Sequence, residues 1–167
     1  MSELIHMGKP DFETVFETYY DRIYKYAYTI LLNRENAEDV VEETFLAAYA
    51  AYSGYNPARA SLATWLTRIA HNKAVNLVRS AAYRRETALP DALPDSADPQ
   101  DEARYTVLWL YARLTRQERE FLDLRYVMEL SDQEVAGLYG IAPKAVNKRY
   151  QRLLKRCRQI LDDEESD

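Results

Sequence analysis

The chain has 167 residues, 47% of them hydrophobic, and sets 22 Lys and Arg against 27 Asp and Glu for a formal net charge of −5. Four Gly and six Pro are too few for a turn-rich β protein, and the single Cys, Cys157, excludes an internal disulfide framework and suits a reducing cytosol. No basic-then-apolar leader opens the sequence and no apolar run approaches bilayer length. The expectation is a helical cytoplasmic protein without membrane insertion, built as one domain or two small ones.

The net charge conceals blocks of opposite sign. Residues 11–50 hold nine acids and three bases, 59–85 six bases and no acid, 86–103 six acids and no base, and 144–158 seven bases and no acid. Local field rather than total charge therefore governs what each segment attracts.

Residues 11–85 predict three helices around one core. In the first, Phe12, Val15, Phe16, Tyr19, Ile23, Tyr26, Ala27 and Ile30 recur at helical spacing behind Asp11, a candidate cap. A break near "NRE" leads into a second helix with Ala37, Val40, Val41, Phe45 and Ala48 on its inner side. Its outer side carries Asp39, Glu42, Glu43 and Leu46. An acidic stripe with an outward Leu repels DNA and suits docking on a basic protein, while an ordinary solvated stripe accounts for these four residues equally well. "SGYNP" is a turn signal.

The third helix, "SLATWLTRIAHNKAVNLVRSAAYRR", is expected to bury Leu62, Trp65, Leu66, Ile69, Val78 and either Val75 or Ala74. Arg59, Arg68, Lys73, Arg79, Arg84 and Arg85 are interleaved here with His71, Asn72, Asn76 and Tyr83. Cations mixed with amides and aromatics are the composition expected of a surface that follows a nucleic-acid backbone and stacks or reads unpaired bases. An ordinary basic helix with one core Trp is the plainer reading, and the one that suits Trp65 itself.

"ETALPDALPDSADPQDEA", residues 86–103, has three Pro, six acids and no aromatic residue, which predicts an extended, self-repelling linker. Residues 104–161 then predict a second helical module of four helices. After "ARYTVLWLYARL", the runs "TRQE" and "SDQE" are capping boxes, in which a hydroxyl accepts from the amide three residues on and the Glu returns to the cap amide. Gly140 suits a helix end at positive φ and Pro143 a first helical turn. A short helix, a Gly-containing turn and a second helix form a helix-turn-helix pattern.

In that second helix Val146, Tyr150, Leu153, Cys157 and Ile160 share an apolar face. Lys144, Lys148, Arg149, Arg152, Lys155 and Arg156 spread opposite, with Asn147 and Gln151 between. A merely solvated face mixes signs through i,i+4 pairs, and no acid occurs from 144 to 158. Docked in a major groove, Lys144, Ala145, Asn147 and Lys148 face base edges while Arg149, Arg152 and Arg156 lie nearer phosphates. An enzyme is the poorest reading. His6 and His71 are far apart in sequence, and there is neither a Gly-rich phosphate loop nor a Cys/His ligand cluster, so no metal or cofactor is expected.

"NAEDVVEETFLAAY", then "SLATWLTRIAHNKAVNLVR", then "LTRQEREFLDLRYVMELSDQEVAGLYGIAPKAVNKRYQRLLKR" closely resemble the extracytoplasmic-function (ECF) sigma factors of bacterial RNA polymerase, minimal members of the sigma-70 family. The likeness runs from Phe12 to Leu161. It implies an all-α fold of two small domains, a three-helix module over 11–85 and a four-helix module over 104–161, joined by the acidic linker.

The resemblance also implies partners: core polymerase through its β′ clamp and β subunit, promoter DNA, and a cognate anti-sigma protein of the kind that holds many relatives inactive. Asp39, Glu42, Glu43 and Leu46 would grip the clamp. The turn and third helix would recognise and melt the −10 element through Asn56, Arg59, Ser61, Arg68, His71, Asn72, Lys73, Asn76, Arg79, Arg84 and Arg85. The helix-turn-helix would read the −35 element through Ser131, Lys144, Ala145, Asn147, Lys148, Arg149, Gln151, Arg152 and Arg156. The linker would thread toward the RNA exit path. Ala145 stands where the family commonly has Thr, Asn147 where it often has Lys, and His71 and Asn76 where Arg and Asp are common, so the preferred bases stay open. A stand-alone helix-turn-helix regulator binding duplex DNA as a dimer is one alternative; it leaves the acidic stripe, the first basic helix and the acidic linker without a role. A protein-interaction adaptor whose cationic faces bind an acidic partner is another.

Overall fold

A computed structural model of the chain describes residues 8–80 and 99–166, with the side chains of 99–105 excepted. Arg84, Arg85 and the expected linker before Pro99 lie outside the described residues. All regular structure among the described residues is helical. The chain divides into two compact units, residues 1–86 and 87–167.

The first unit holds α1 (Phe12–Leu31), α2 (Arg34–Ala51), a 3-10 turn (Tyr52–Gly54) and α3 (Leu62–Arg79). The Asp11 carboxylate accepts from Thr14 N at 2.7 Å; hydrogen bonding to the Thr14 side chain first, and to this amide second, holds its pKa below the ordinary value. Helix α1 ends on Leu32 in the left-handed region (φ 51), a place usually taken by Gly or Asn; Asn33 then caps α2 by accepting from Asn36 N at 2.9 Å.

Ile23, Tyr26, Ala27, Ile30 and Leu31 of α1 meet Ala37, Val40, Val41, Phe45 and Ala48 of α2 in the core. From α3 the fully buried apolar residues are Leu66, Ala70 and Ala74. That revises the expectation for this helix: Ala74 rather than Val75 is the inner residue, and Leu62, Trp65, Ile69 and Val78 are only half-buried. Small side chains at Ala70 and Ala74, one turn apart beyond Leu66, let α3 seat closely against its neighbours. Thr44 and Thr67 are buried alongside because each donates to a carbonyl one turn earlier in its own helix, at 2.6 Å. Phe12 and Tyr19, expected inside, are half-buried, and Phe16 is 41% exposed.

The second unit holds α4 (Pro99–Ala112), α5 (Arg116–Tyr126), α6 (Asp132–Tyr139) and α7 (Pro143–Glu165). Helix α4 starts inside the segment expected to be extended. Pro tolerates the first helical position. Both capping boxes form: Thr115 with Glu118 opens α5, and Ser131 with Glu134 opens α6. Gly140 closes α6 at φ 65, with Ile141 N donating to Ala136 O at 3.1 Å.

Phe121 is the hub of this core, 4.2 Å from the ring of Tyr150 and 5.6 Å from that of Tyr139 between centroids. The Tyr150 hydroxyl donates to Phe121 O at 2.7 Å, which binds α7 to α5. Val146, Leu153 and Cys157 complete the inner face of α7, and Ile160 is half-buried. Burial raises the phenol pKa values of Tyr111, Tyr139 and Tyr150; Asp123, which accepts from Tyr111 at 2.9 Å, adds to the effect there.

Candidate docking and nucleic-acid surfaces

Helix α2 presents Asp39, Glu42, Glu43 and Leu46 to solvent, opposite the buried Val40, Val41 and Phe45. All four expected residues are therefore brought onto one face. Leu46 is 71% exposed and its neighbour Tyr49 is 69% exposed. With Phe12, Phe16, Tyr20 and Phe45 they line an open groove of about 530 Å³ that has the Glu42 carboxylate on its rim. The sequence reading placed Phe16 inside and passed over Tyr49. Only α1 and α2 supply this groove, so aromatic residues at its edge keep a wet side.

Helix α3 turns Arg68, Asn72, Asn76 and Arg79 outward at spacings of four, four and three, a single stripe opposite Leu66, Ala70 and Ala74. His71 and Lys73 flank the stripe and are half-buried. The His71 Nδ1 atom lies 3.3 Å from the Tyr26 hydroxyl, and Lys73 Nζ lies 4.0 Å from a carboxylate oxygen of Glu43. One member of the acidic stripe thus faces one cation of α3.

In the preceding turn Asn56 Oδ1 accepts from Ala58 N at 2.9 Å, and Asn56 O accepts from Arg59 N at 3.0 Å. Ser61 caps α3, its hydroxyl accepting from Thr64 N at 3.2 Å. Arg59 is exposed. Asn56 and Ser61 thus have local structural work of their own, as does Ser131, the cap of α6.

Helix α7 sorts its expected readers into two groups. Lys144, Ala145, Asn147, Lys148, Gln151 and Arg152 are exposed. Arg149 is not spread among them: its guanidinium stacks 4.7 Å from the Phe121 centroid and 5.4 Å from that of Tyr139. Arg156 Nε pairs with Glu118 at 3.0 Å, so this carboxylate caps α5 and holds α7 at once. Lys155, expected on the cationic face but not among the readers, and Arg158, expected in neither group, are exposed and share the outward face with Lys144, Lys148 and Gln151. Residue spacing alone was enough to find them. Helix α6 is tied to α5 by Arg125, which donates to Asp132 at 2.7 Å and lies 4.1 Å from the Tyr150 ring centroid. Burial pushes the Cys157 thiol pKa upward, the opposite of a reactive cysteine.

These features define a class: a helical protein with a helix-turn-helix head and, on its other unit, an acidic and a cationic surface side by side. The sigma-70 region 2 family matches residues 15–85, and the sigma-70 region 4 family matches residues 110–157. CarQ of Myxococcus xanthus, an RNA polymerase sigma factor, is 30% identical over 91% of this chain and 90% of its own length. The ECF RNA polymerase sigma factor SigG of Mycobacterium tuberculosis is 31% identical over 85% of this chain. The chain spans about half of SigG, 46% of its length. Among solved structures, CnrH in complex with the cytosolic domain of CnrY superposes with a TM-score of 0.67 at 26% identity, covering 96% of this chain and 94% of that one.

The chain belongs to the ECF sigma factors of the sigma-70 family. No helix among the described residues is long and apolar enough to cross a membrane.

Proposed function

We propose that this protein directs core RNA polymerase to a subset of promoters, acting in the cytoplasm. Its acidic stripe docks on the β′ clamp, its first cationic helix recognises and melts the −10 element, and its helix-turn-helix reads the −35 element. The observation that carries this reading is the juxtaposition on the first unit of Asp39, Glu42, Glu43 and Leu46 on α2 with Arg68, Asn72, Asn76 and Arg79 on α3. A surface that repels DNA next to one that attracts it suits a subunit placed between a protein partner and a polyanion.

In this assignment residues 11–85 carry docking and −10 recognition, and 104–161 carry −35 recognition. The acidic segment between them runs through the polymerase, in contact with the β subunit. Lys144, Asn147 and Lys148 are offered to base edges, and Arg152, Lys155 and Arg158 to phosphates. Arg84 and Arg85 are further −10 contacts in this assignment. A cognate anti-sigma protein is a further partner, consistent with the capture of CnrH together with a domain of CnrY.

Run-off transcription with bacterial core enzyme tests the proposal: promoter-dependent transcripts form only when this protein is added. Tight, specific duplex binding by the protein alone, without any transcript on adding core enzyme, would make it a stand-alone regulator instead.

A further inference from the structure

The segment before α1 is strapped to the turn that carries Asn56 and Arg59. Lys9 Nζ donates to Tyr52 O at 3.2 Å and to Ser53 O at 3.3 Å. The same ammonium lies 5.6 Å from the ring centroid of Tyr52 and 5.7 Å from that of Tyr55. The Tyr52 hydroxyl in turn donates to Pro10 O, and the Phe12 ring lies 5.3 Å from that of Tyr52. Two carbonyls, two rings and a returning hydroxyl thus hold one short stretch of chain.

The position has an electrostatic reason. Tyr52 and Ser53 form the 3-10 turn that closes α2, where outward carbonyls and the helix dipole favour a cation. The last turn of α2 has no basic residue of its own. Lys9, 43 residues away in sequence from Tyr52, supplies the missing charge.

What Lys9 grips is one end of a longer brace. Tyr55 is buried, donates to Ala60 O at 2.9 Å, and packs its ring 4.9 Å from that of Trp65 in the first turn of α3. Tyr52 stacks on Tyr55 at 6.0 Å with the planes 5° apart. Lys9 therefore anchors where the turn begins, Tyr55 joins its beginning to its end, and Asn56 and Arg59 hang between. The core of the unit around Ile23, Tyr26, Leu66 and Ala70 is built by other residues.

We propose that Lys9 is a positioning residue for promoter melting: through the Tyr52–Tyr55 brace it fixes the turn that presents Asn56 and Arg59 to an unpaired base of the −10 element. The inference rests on the reading of that turn as the −10 surface. A base drawn out of the stack gains only from contacts already in place, and about 1 Å of misplacement in a positioned group can cost on the order of 100-fold.

The test uses the full chain with core polymerase, on a promoter selected from a randomised −10 library by the wild-type protein. Permanganate reactivity of −10 thymines follows opening, single-base changes in the −10 measure discrimination, and competition for core enzyme measures docking. Lys9→Met is expected to slow opening by at least about tenfold and to flatten discrimination, with core competition unchanged. Lys9→Arg, which keeps a donor for both carbonyls, restores opening and discrimination, and Tyr52→Phe, which cuts the bond to Pro10, moves both in the same direction as Lys9→Met. Opening and discrimination at wild-type levels in Lys9→Met would overturn the proposal while leaving the promoter reading intact. A parallel loss of core competition would overturn it too, by making Lys9 a residue of general stability. A wild-type protein that opens no promoter would instead remove the promoter reading and this inference with it.

Discussion

Arg149 and Arg152 lie three residues apart on α7, and by sequence alone either is a phosphate contact. The structure separates them. Arg152 is exposed, whereas the Arg149 guanidinium is stacked on Phe121 and Tyr139 at 4.7 and 5.4 Å. Losing one phosphate contact flattens the slope of log K against log salt by about 0.9, a factor of about 3.5 in affinity ratio over a fourfold salt range. Losing a partly desolvated guanidinium–ring contact costs about 0.5–2 kcal/mol of stability. For a unit of this size each kcal/mol moves Tm by roughly 4–8 °C.

Arg152→Ala should therefore flatten the salt slope and leave the thermal transition of the second unit in place. Arg149→Ala should lower that transition and leave the slope alone. Fluorescence anisotropy of holoenzyme on a −35-containing duplex across a salt series reads the first quantity, and circular dichroism melting of the full chain reads the second. If Arg149→Ala flattens the slope as much as Arg152→Ala while melting like wild type, the assignment of Arg149 to the core is wrong.

Three further outcomes are expected. Asp39→Arg reverses charge on an exposed site of α2 and should weaken competition for core enzyme while the melting curve stays unchanged; normal competition would move the docking face elsewhere. Ser131→Ala removes the hydroxyl that caps α6 and should cost about 0.5–2 kcal/mol in denaturant titrations; no loss would mean that water replaces the cap at no cost. Burial raises the folded-state pKa of Tyr139 and Tyr150 above 10.0 and that of Cys157 above 9.0, so the unfolded chain releases these protons first. The resulting stability is complete below the unfolded values and is lost as pH rises through 9.0, 10.0 and beyond. Denaturation at about pH 8 and about pH 11 should show the decline, and Tyr150→Phe should make it shallower.

Much of this architecture was readable because its signals are local. Each capping box lies within four consecutive residues, and Gly140 with Pro143 marks the turn before α7. The acidic stripe followed from helical spacing alone, since Val40, Val41 and Phe45 fix which side is inner. What escaped depends on residues distant in sequence. Nothing near Arg149 states that Phe121 waits beneath it, and nothing near Arg156 names Glu118. In α3 the large residues suggested the buried side, yet close approach of three helices selected Ala70 and Ala74 and left Trp65 at the edge against Tyr55. Leu32 offered no hint of its left-handed conformation because its side chain is not of the type that favours it.

The order of charges along α7 bears on how the second unit responds to its surroundings. Its cations begin in the first turn, at the positive end of the helix dipole, and Asp162, Asp163, Glu164 and Glu165 crowd the negative end. Both arrangements work against the peptide dipoles by about 0.3–1 kcal/mol per terminal charge, so packing of Val146, Tyr150 and Leu153 must hold the helix against its own electrostatics. Screening relieves such a conflict, and a polyanion laid along the cationic half reverses its sign there. Added salt should therefore firm the free helix itself, and, under the proposed −35 role of α7, a bound duplex becomes a stabilising ligand of the fold.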